Sequence, residues 1–203
     1  MTTLTPTLDQ SSIDDLVTRV DALLRGERGR LIGFIASGPG EGTSTLAEAY
    51  VGAAALRLRR RVLLLKASGE ASRGLGVLQA LAAGQALDEL VRPMATGGFC
   101  ASLGGADAGG VLWELVSHDA LWRDLRGRYD EVVLDLPAAS TSRLGLAVAG
   151  HCDGVVVVVE AEKTRGPVAE HLVSSLRAVR ANVLGTVLNK RRFHLPAALY
   201  RHL

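Results

Sequence analysis

The stretch Ser37-Gly38-Pro39-Gly40-Glu41-Gly42-Thr43-Ser44-Thr45 holds the residues whose types and spacing imply chemistry most directly. It lies between an apolar run of strand length, 31–36, and a segment of helical pattern over about 44–58. Glycines at such a junction let successive backbone N–H groups turn inward, and the N-terminus of the following helix adds positive potential. The ligand this suits is a phosphate. A bare strand-to-helix turn needs fewer glycines than Gly38, Gly40 and Gly42 provide, and it has no use for the Ser44-Thr45 hydroxyl pair. A loop that handles phosphoryl groups places lysine immediately before that pair, and here the position is Thr43. Such a lysine makes a charge-assisted contact worth roughly 1.5–3 kcal/mol. Its loss predicts nucleotide binding weakened by ~10- to 100-fold and phosphoryl transfer harmed more.

The elements that must position this loop can be read from hydrophobic patterning. Short apolar runs at 31–36, 62–65, 132–134, 154–159 and 183–188 read as strands, with a weaker one at 99–103 between glycines. Helical patterns occupy 13–25, 44–58, 75–91 (interrupted near Gly84), 111–125 with Trp113 and Trp122, and 168–179. In the first of these, Ser12 is the expected cap, and Ile13, Leu16, Val17, Val20, Leu23 and Leu24 share a face. Unbroken Val/Leu strands separated by helices predict an α/β fold: a doubly wound, mostly parallel sheet with helices on both faces. The expected organisation is a disordered N-terminus over 1–12, one domain over 13–192 and a short basic tail over 193–203.

Composition narrows the function classes. The chain has 203 residues, 48% hydrophobic and 22% charged, enough to bury one core. A formal net charge of +2 and 4% aromatics argue against a nucleic-acid binder, which relies on many phosphate contacts or on stacking. The most apolar run, 155–159, is far short of the ~20 residues a membrane helix needs. The N-terminus lacks the charged start and apolar stretch of a signal peptide. Cys100 and Cys152 fit no metal spacing, and a reducing compartment is the default. The expectation is a soluble, cytoplasmic protein. No Ser/His/Asp arrangement stands out, and His118, His151 and His171 read as surface or packing residues. Arg57, Arg59, Arg60 and Arg61 read either as arginines complementing a helix C-terminus or as a partner surface.

Pro39-Gly40-Glu41-Gly42-x-Ser44-Thr45 resembles the phosphate loop of the bacterial tyrosine kinases of capsule and exopolysaccharide synthesis, which belong to the wider MinD/ParA-like P-loop group. Four further stretches, in order, extend the resemblance over roughly 30–192. Gly74-Leu75 and the residues from there to Arg92-Pro93 are similar to the segment after the family's second strand. Tyr129-Asp130-Glu131-Val132-Val133-Leu134-Asp135-Leu136-Pro137 resembles its Walker B strand. Cys152-Asp153-Gly154 with Lys163-Thr164-Arg165 resembles its Ala-Asp-Gly…Lys-Thr-Arg stretch, and Asn182-Val183-Leu184-Gly185-Thr186-Val187-Leu188-Asn189 its last strand.

The resemblance implies ATP or ADP with Mg²⁺ as ligands, Ser44 and Asp135 as the metal's protein contacts, Thr45 on the phosphate side and Asn189 at the adenine. It implies tyrosine phosphorylation as the activity, with Tyr200 as the remaining phosphoacceptor of a C-terminal tyrosine cluster. The partner it implies is a membrane polysaccharide co-polymerase or export protein, whose cytoplasmic tail supplies the membrane link. Homo-oligomers also occur in the family. Membrane contact would then be indirect, or made by the basic tail.

The departures from the family pattern are Thr43 and the Walker A′ position, where Lys66-Ala67-Ser68 replaces Asp-Ala-Asp and removes the evident general base. The chain also lacks the family's N-terminal Glu-x-x-Arg-x-x-Arg pattern, apart from Arg19. Lys66 should stand at the C-terminal end of a strand beside the loop. Three readings of it stay open: a relocated phosphate lysine, an ammonium plugging the site by pairing with Asp135, or a solvated residue in a site without catalytic demand. Together these features lead to the expectation of a degenerate kinase-like regulatory or structural partner. An active enzyme rewired through Lys66 and a MinD/ParA-like positioning ATPase are the alternatives.

Overall fold

All six expected apolar runs are strands: β1 (Arg30–Ala36), β2 (Val62–Lys66), β4 (Phe99–Ser102), β5 (Glu131–Asp135), β6 (Gly154–Glu160) and β7 (Val183–Asn189). A seventh, β3 (Arg92–Pro93), is not legible in the sequence. They form one sheet in the order β3-β4-β2-β5-β1-β6-β7, parallel except for the β3–β4 pair. The computed structural model describes residues 10–26, 28–66, 76–77, 86–103 and 119–190.

The unbroken apolar character of the strands comes from burial on both sides. Leu31, Ile35, Leu63, Leu65, Val132, Leu134, Val155 and Val157 face one layer. Ile32, Phe34, Val62, Leu64, Val133, Val156 and Val158 face the other. The second face is covered by α1 (Gln10–Leu23) and α2 (Thr43–Arg57), through Ile13, Val17, Val20, Leu46 and Tyr50. The first is covered by α3 (Asp119–Arg128), α4 (Leu144–Ala149) and α5 (Gly166–Ala178), through Trp122, Leu125, Val148, Leu172 and Leu176.

Several boundaries depart from expectation. Helix α1 begins at Gln10, ahead of the expected Ser12 cap and inside the stretch expected to be disordered. Gln10 Nε2 donates to Asp14 Oδ1 at 3.0 Å, which adds a side-chain bond across the first turn. Leu23, expected on the buried face, is 60% exposed, while Leu24 is buried. Of the expected helix over 75–91, the described residues show Val77 as helical and buried, and a 3₁₀ turn, Leu87–Glu89, before β3. Gly84, Trp113, His118, Ala67, Ser68, Tyr200 and the tail over 193–203 lie outside the described residues. Helix α4 has no counterpart among the expected elements.

The arginine group divides: Arg57 stands in the last turn of α2, as the dipole reading expects, and is exposed like Arg59 and Arg61, while the half-buried Arg60 joins a charge network at the start of the sheet. Arg30 and Glu131, register partners at the start of β1 and β5, are both almost fully buried and form an ion pair. Arg60 bridges Glu131 and Asp21 at 2.5 Å each, Arg30 reaches Asp21 at 3.0 Å, and Tyr50 Oη donates to Glu131 Oε2 at 3.2 Å. Arg57 pairs with Asp14 at 2.6 Å, and the Arg61 guanidinium lies over the rings of Phe99 and Tyr129. This network fastens α1 and α2 to the N-terminal edge of the sheet, at the far end of β1 from the glycine-rich loop. Burial pushes the Glu131 carboxyl up from its ordinary value, with the Arg30 charge opposing that rise.

Candidate phosphate site

Strand β1 delivers the chain to the loop between its neighbours β5 and β6, at the C-terminal ends where open α/β sheets bind ligands. The loop turns into α2 through Gly40 (φ 79°) and Gly42 (φ 94°), both left-handed. Gly42 is doubly constrained, because a Cβ there would lie 2.1 Å from Asn189 Nδ2. It caps α2 with no side-chain hydrogen bond, and the first turn carries no acidic residue. The leading N–H groups of the helix, from Thr43 to Thr45, therefore have neither an intrahelical acceptor nor a competing carboxylate in their own turn.

An open cavity of about 440 Å³ lies against these groups. It is lined by Gly38, Pro39, Gly40, Gly42, Thr43, Ser44 and Thr45 of the loop and helix start, by Leu136, Pro137, Ala138 and Thr141 after β5, and by Lys190 after β7. The segment after β5 is held alongside the loop by backbone bonds: Ala139 N–H to the Ala36 carbonyl at 2.9 Å, and Ser140 N–H to that of Ser37 at 3.1 Å.

Glu41 serves the loop rather than the cavity. Its buried carboxylate accepts from Gly38 N–H at 2.7 Å and from Glu160 N–H at 3.2 Å, tying the loop to the end of β6. Asn189, implied at the adenine, is also buried. Its Nδ2 donates to the Glu41 carbonyl at 2.8 Å, and its Oδ1 accepts from Lys190 N–H at 2.9 Å. The structure thus gives the Asn189 amide a role in bracing the loop.

Lys66 and Asp135 are register partners at the ends of β2 and β5, and neither lines the cavity. The ion pair of Lys66 is with Glu48 on α2, at 2.5 Å, not the pair with Asp135 that the plugging reading requires. The hydrogen bond to Glu48 holds the Lys66 ammonium above the usual lysine pKa, and Asp135 adds a smaller electrostatic contribution. The relocation reading also fails to place Lys66 on the cavity wall.

The lysine that does reach the wall is Lys190, which sequence reasoning missed. Its Nζ donates to the Gly40 carbonyl and lies 3.4 Å from Glu160 Oε2. The signal available in the sequence was its position directly after Asn189. Glu160 also pairs with Lys163 at 3.1 Å. Chiefly through Lys163, with Lys190 behind it, its carboxyl is held below the ordinary range. Among the histidines, His151 stacks on Trp122 with centroids 6.1 Å apart, and His171 is exposed.

No protein-family model and no curated protein matches the sequence. Solved structures do match in shape. The kinase domain of the Escherichia coli tyrosine kinase ETK superposes with a TM-score of 0.78 at 16% identity, covering 93% of this chain and 79% of that one. The VpsO kinase domain gives 0.74 at 22%, covering 90% and 96%. Cobyrinic acid a,c-diamide synthase from Mycobacterium smegmatis, solved with bound ADP and magnesium, gives 0.59 at 21%, covering 78% and 73%. At these identities the likeness is one of fold, and the chain has the α/β fold of the ETK and VpsO kinase domains.

Proposed function

We propose that this chain is a transfer-deficient relative of the exopolysaccharide tyrosine kinases. In this reading it binds nucleotide phosphates weakly and acts as a regulatory or structural partner of a membrane polysaccharide co-polymerase or export complex. The observation that carries the reading is the state of the loop. The backbone cradle and its 440 Å³ cavity are retained, while Thr43 occupies the wall where a transferring enzyme needs lysine. Among the described residues, the cavity wall holds no carboxylate or imidazole to act as a general base. Likeness to the ETK and VpsO kinase domains supports the family side of the reading. No helix among the described residues is long and apolar enough to cross a membrane.

Of the two residues implied for Mg²⁺, Ser44 offers a hydroxyl on the cavity wall, whereas Asp135 is buried at the adjoining strand end and off the wall, so its carboxylate would reach the ion through water, and phosphate and water would supply the other ligands. When bound, the ion would neutralise phosphate charge. The chain's own part is to offer the α2 N–H groups and the loop amides to the phosphate oxygens.

The test is thermal melting with Mg·ADP and Mg·ATP, together with phosphate-release and phosphotyrosine assays. A ligand at ~100 times its dissociation constant adds ~2.7 kcal/mol, or roughly 5–10 °C for a chain of this length. The expected result is a rise in melting temperature at millimolar nucleotide without multiple turnover. Sustained phosphate release or phosphotyrosine on the chain would overturn the transfer-deficient reading. No rise with either nucleotide would overturn the phosphate-binding part.

A further inference from the structure

Lys190 lies outside the phosphate loop in sequence but against it in space. It comes directly after β7 in left-handed backbone (φ 56°), and its N–H donates to Asn189 Oδ1 at 2.9 Å. That turn lays the side chain back across the loop. Nζ donates to the Gly40 carbonyl, and Cε passes 3.8 Å from where a Cβ on Gly42 would stand. Among the described residues, it is the only lysine or arginine on the cavity wall.

We propose that Lys190 is the cation of this phosphate site, supplying from the end of β7 the charge that the loop lacks at Thr43. The ligand class is a nucleoside diphosphate or pyrophosphate, with the Lys190 ammonium on the phosphate that the α2 N-terminus binds. The inference rests on the reading that the loop binds phosphate, and it deepens it by naming the residue that supplies the charge.

Four features carry it. The Lys190 side chain is 41% exposed, and the close contact of its ammonium in the loop is a neutral carbonyl, which a phosphate dianion outcompetes as a partner. Its carboxylate neighbour Glu160 is shared: Lys163 stands 3.1 Å from the same Oε2 that Lys190 approaches to 3.4 Å. Moving Lys190 onto a phosphate therefore leaves Glu160 with a cation. Lys66, by contrast, is committed to Glu48 at 2.5 Å and stands off the wall. Asn189 fixes the root of the Lys190 side chain while leaving its flexible stem free to reach a ligand.

The experiment is calorimetric titration of the full chain with Mg·ADP and, separately, with pyrophosphate. The proteins compared are wild type, Lys190→Gln, Lys66→Ala and the double variant Lys190→Gln/Thr43→Lys. The expected result is affinity for both ligands reduced 10-fold or more in Lys190→Gln and unchanged in Lys66→Ala. In the double variant, lysine at the usual loop position should recover it. Recovery separates lost charge from a damaged loop, and its absence overturns the assignment. Wild-type binding with an unaffected Lys190→Gln overturns the role of Lys190 alone, as does a loss confined to Lys66→Ala. A wild type that binds neither ligand at millimolar concentration overturns the phosphate-binding reading and this inference with it.

Discussion

Asn189 Nδ2 donates to the Glu41 carbonyl at 2.8 Å across 148 positions of sequence, and it does so where a Cβ on Gly42 would stand 2.1 Å from the same nitrogen. The last strand and the phosphate loop are thus shaped against each other. Gly42→Ala forces a left-handed alanine, costing ~1–2 kcal/mol, and adds the clash with Asn189. The expected outcome is a urea midpoint lowered by more than that strain alone produces. In an Asn189→Ala background the same substitution should cost less, because the clash is removed while the φ penalty stays. Additive effects in this double-mutant cycle would show that the contact does not constrain the loop.

A second prediction concerns the charge network at the other end of β1. Glu131 is fully buried and receives Arg30, Arg60 and Tyr50. Removing it by Glu131→Ala leaves the buried Arg30 guanidinium without that carboxylate. Such losses typically cost ~3–5 kcal/mol, and the residue is remote from the cavity. Equilibrium unfolding should therefore show a large stability loss, with nucleotide affinity at low temperature unchanged in the fraction that stays folded. A loss below ~1 kcal/mol would mean that the network is solvated enough to relax.

Much of this fold was legible because burial on both faces writes strands as continuous Val/Leu runs; the runs at 132–134 and 154–159 became β5 and β6 with one or two residues added. The weak signal between glycines became β4, since Ala101 packs into the core while Phe99 and Ser102 are half-buried. What escaped depends on contacts distant in sequence. Strand β3 is two residues long and both are exposed, so no periodicity exists to read. The ion pairs of Arg57 and Arg60 could not be read from the sequence because their acids sit on α1 and β5, outside any local window. At the candidate site, the glycine loop was legible as a local pattern. The lysine on its wall was not, because Lys190 reaches Gly40 only after the sheet has brought β7 beside β6. Lys66 drew attention by standing at a strand end, but Glu48 one helix away had already taken its charge.

The acid limb of stability should report the Glu160 cluster. Its folded carboxyl pKa is lowered, first by the hydrogen bond from Lys163 and then by Lys190, from an ordinary value of 4.5. A carboxylate with a depressed folded pKa contributes stability that is present above its unfolded value and lost as pH falls through the folded one. Wild type should therefore melt higher than Glu160→Gln at pH 7, and the two curves should converge as pH falls below 4.5 and through the lower folded value. A gap that persists unchanged down to the acid-unfolding limit would assign the stabilisation to packing rather than to charge.

Thiol chemistry offers a separate check of the core. Burial, with the Asp153 charge adding to it, pushes the Cys152 thiol up to about 12, and Cys152 is 7% exposed with Sγ against the Val148 carbonyl. Reaction proceeds through the thiolate, so at pH 8 both its scarcity and its inaccessibility protect this residue. Cys100 is half-buried on β4 near the edge of the sheet. With a chromogenic disulfide reagent at pH 8, native protein should release less than two equivalents of thiol promptly, and the second should appear only on unfolding. Its rate should then track the denaturant dependence of global stability, because Cys152 also packs 3.1 Å from the position a Cβ on Gly33 would take, in the middle of β1. Prompt labelling of Cys152 in the Cys100→Ser variant would show that the layer formed by α4 and β6 opens without unfolding the sheet.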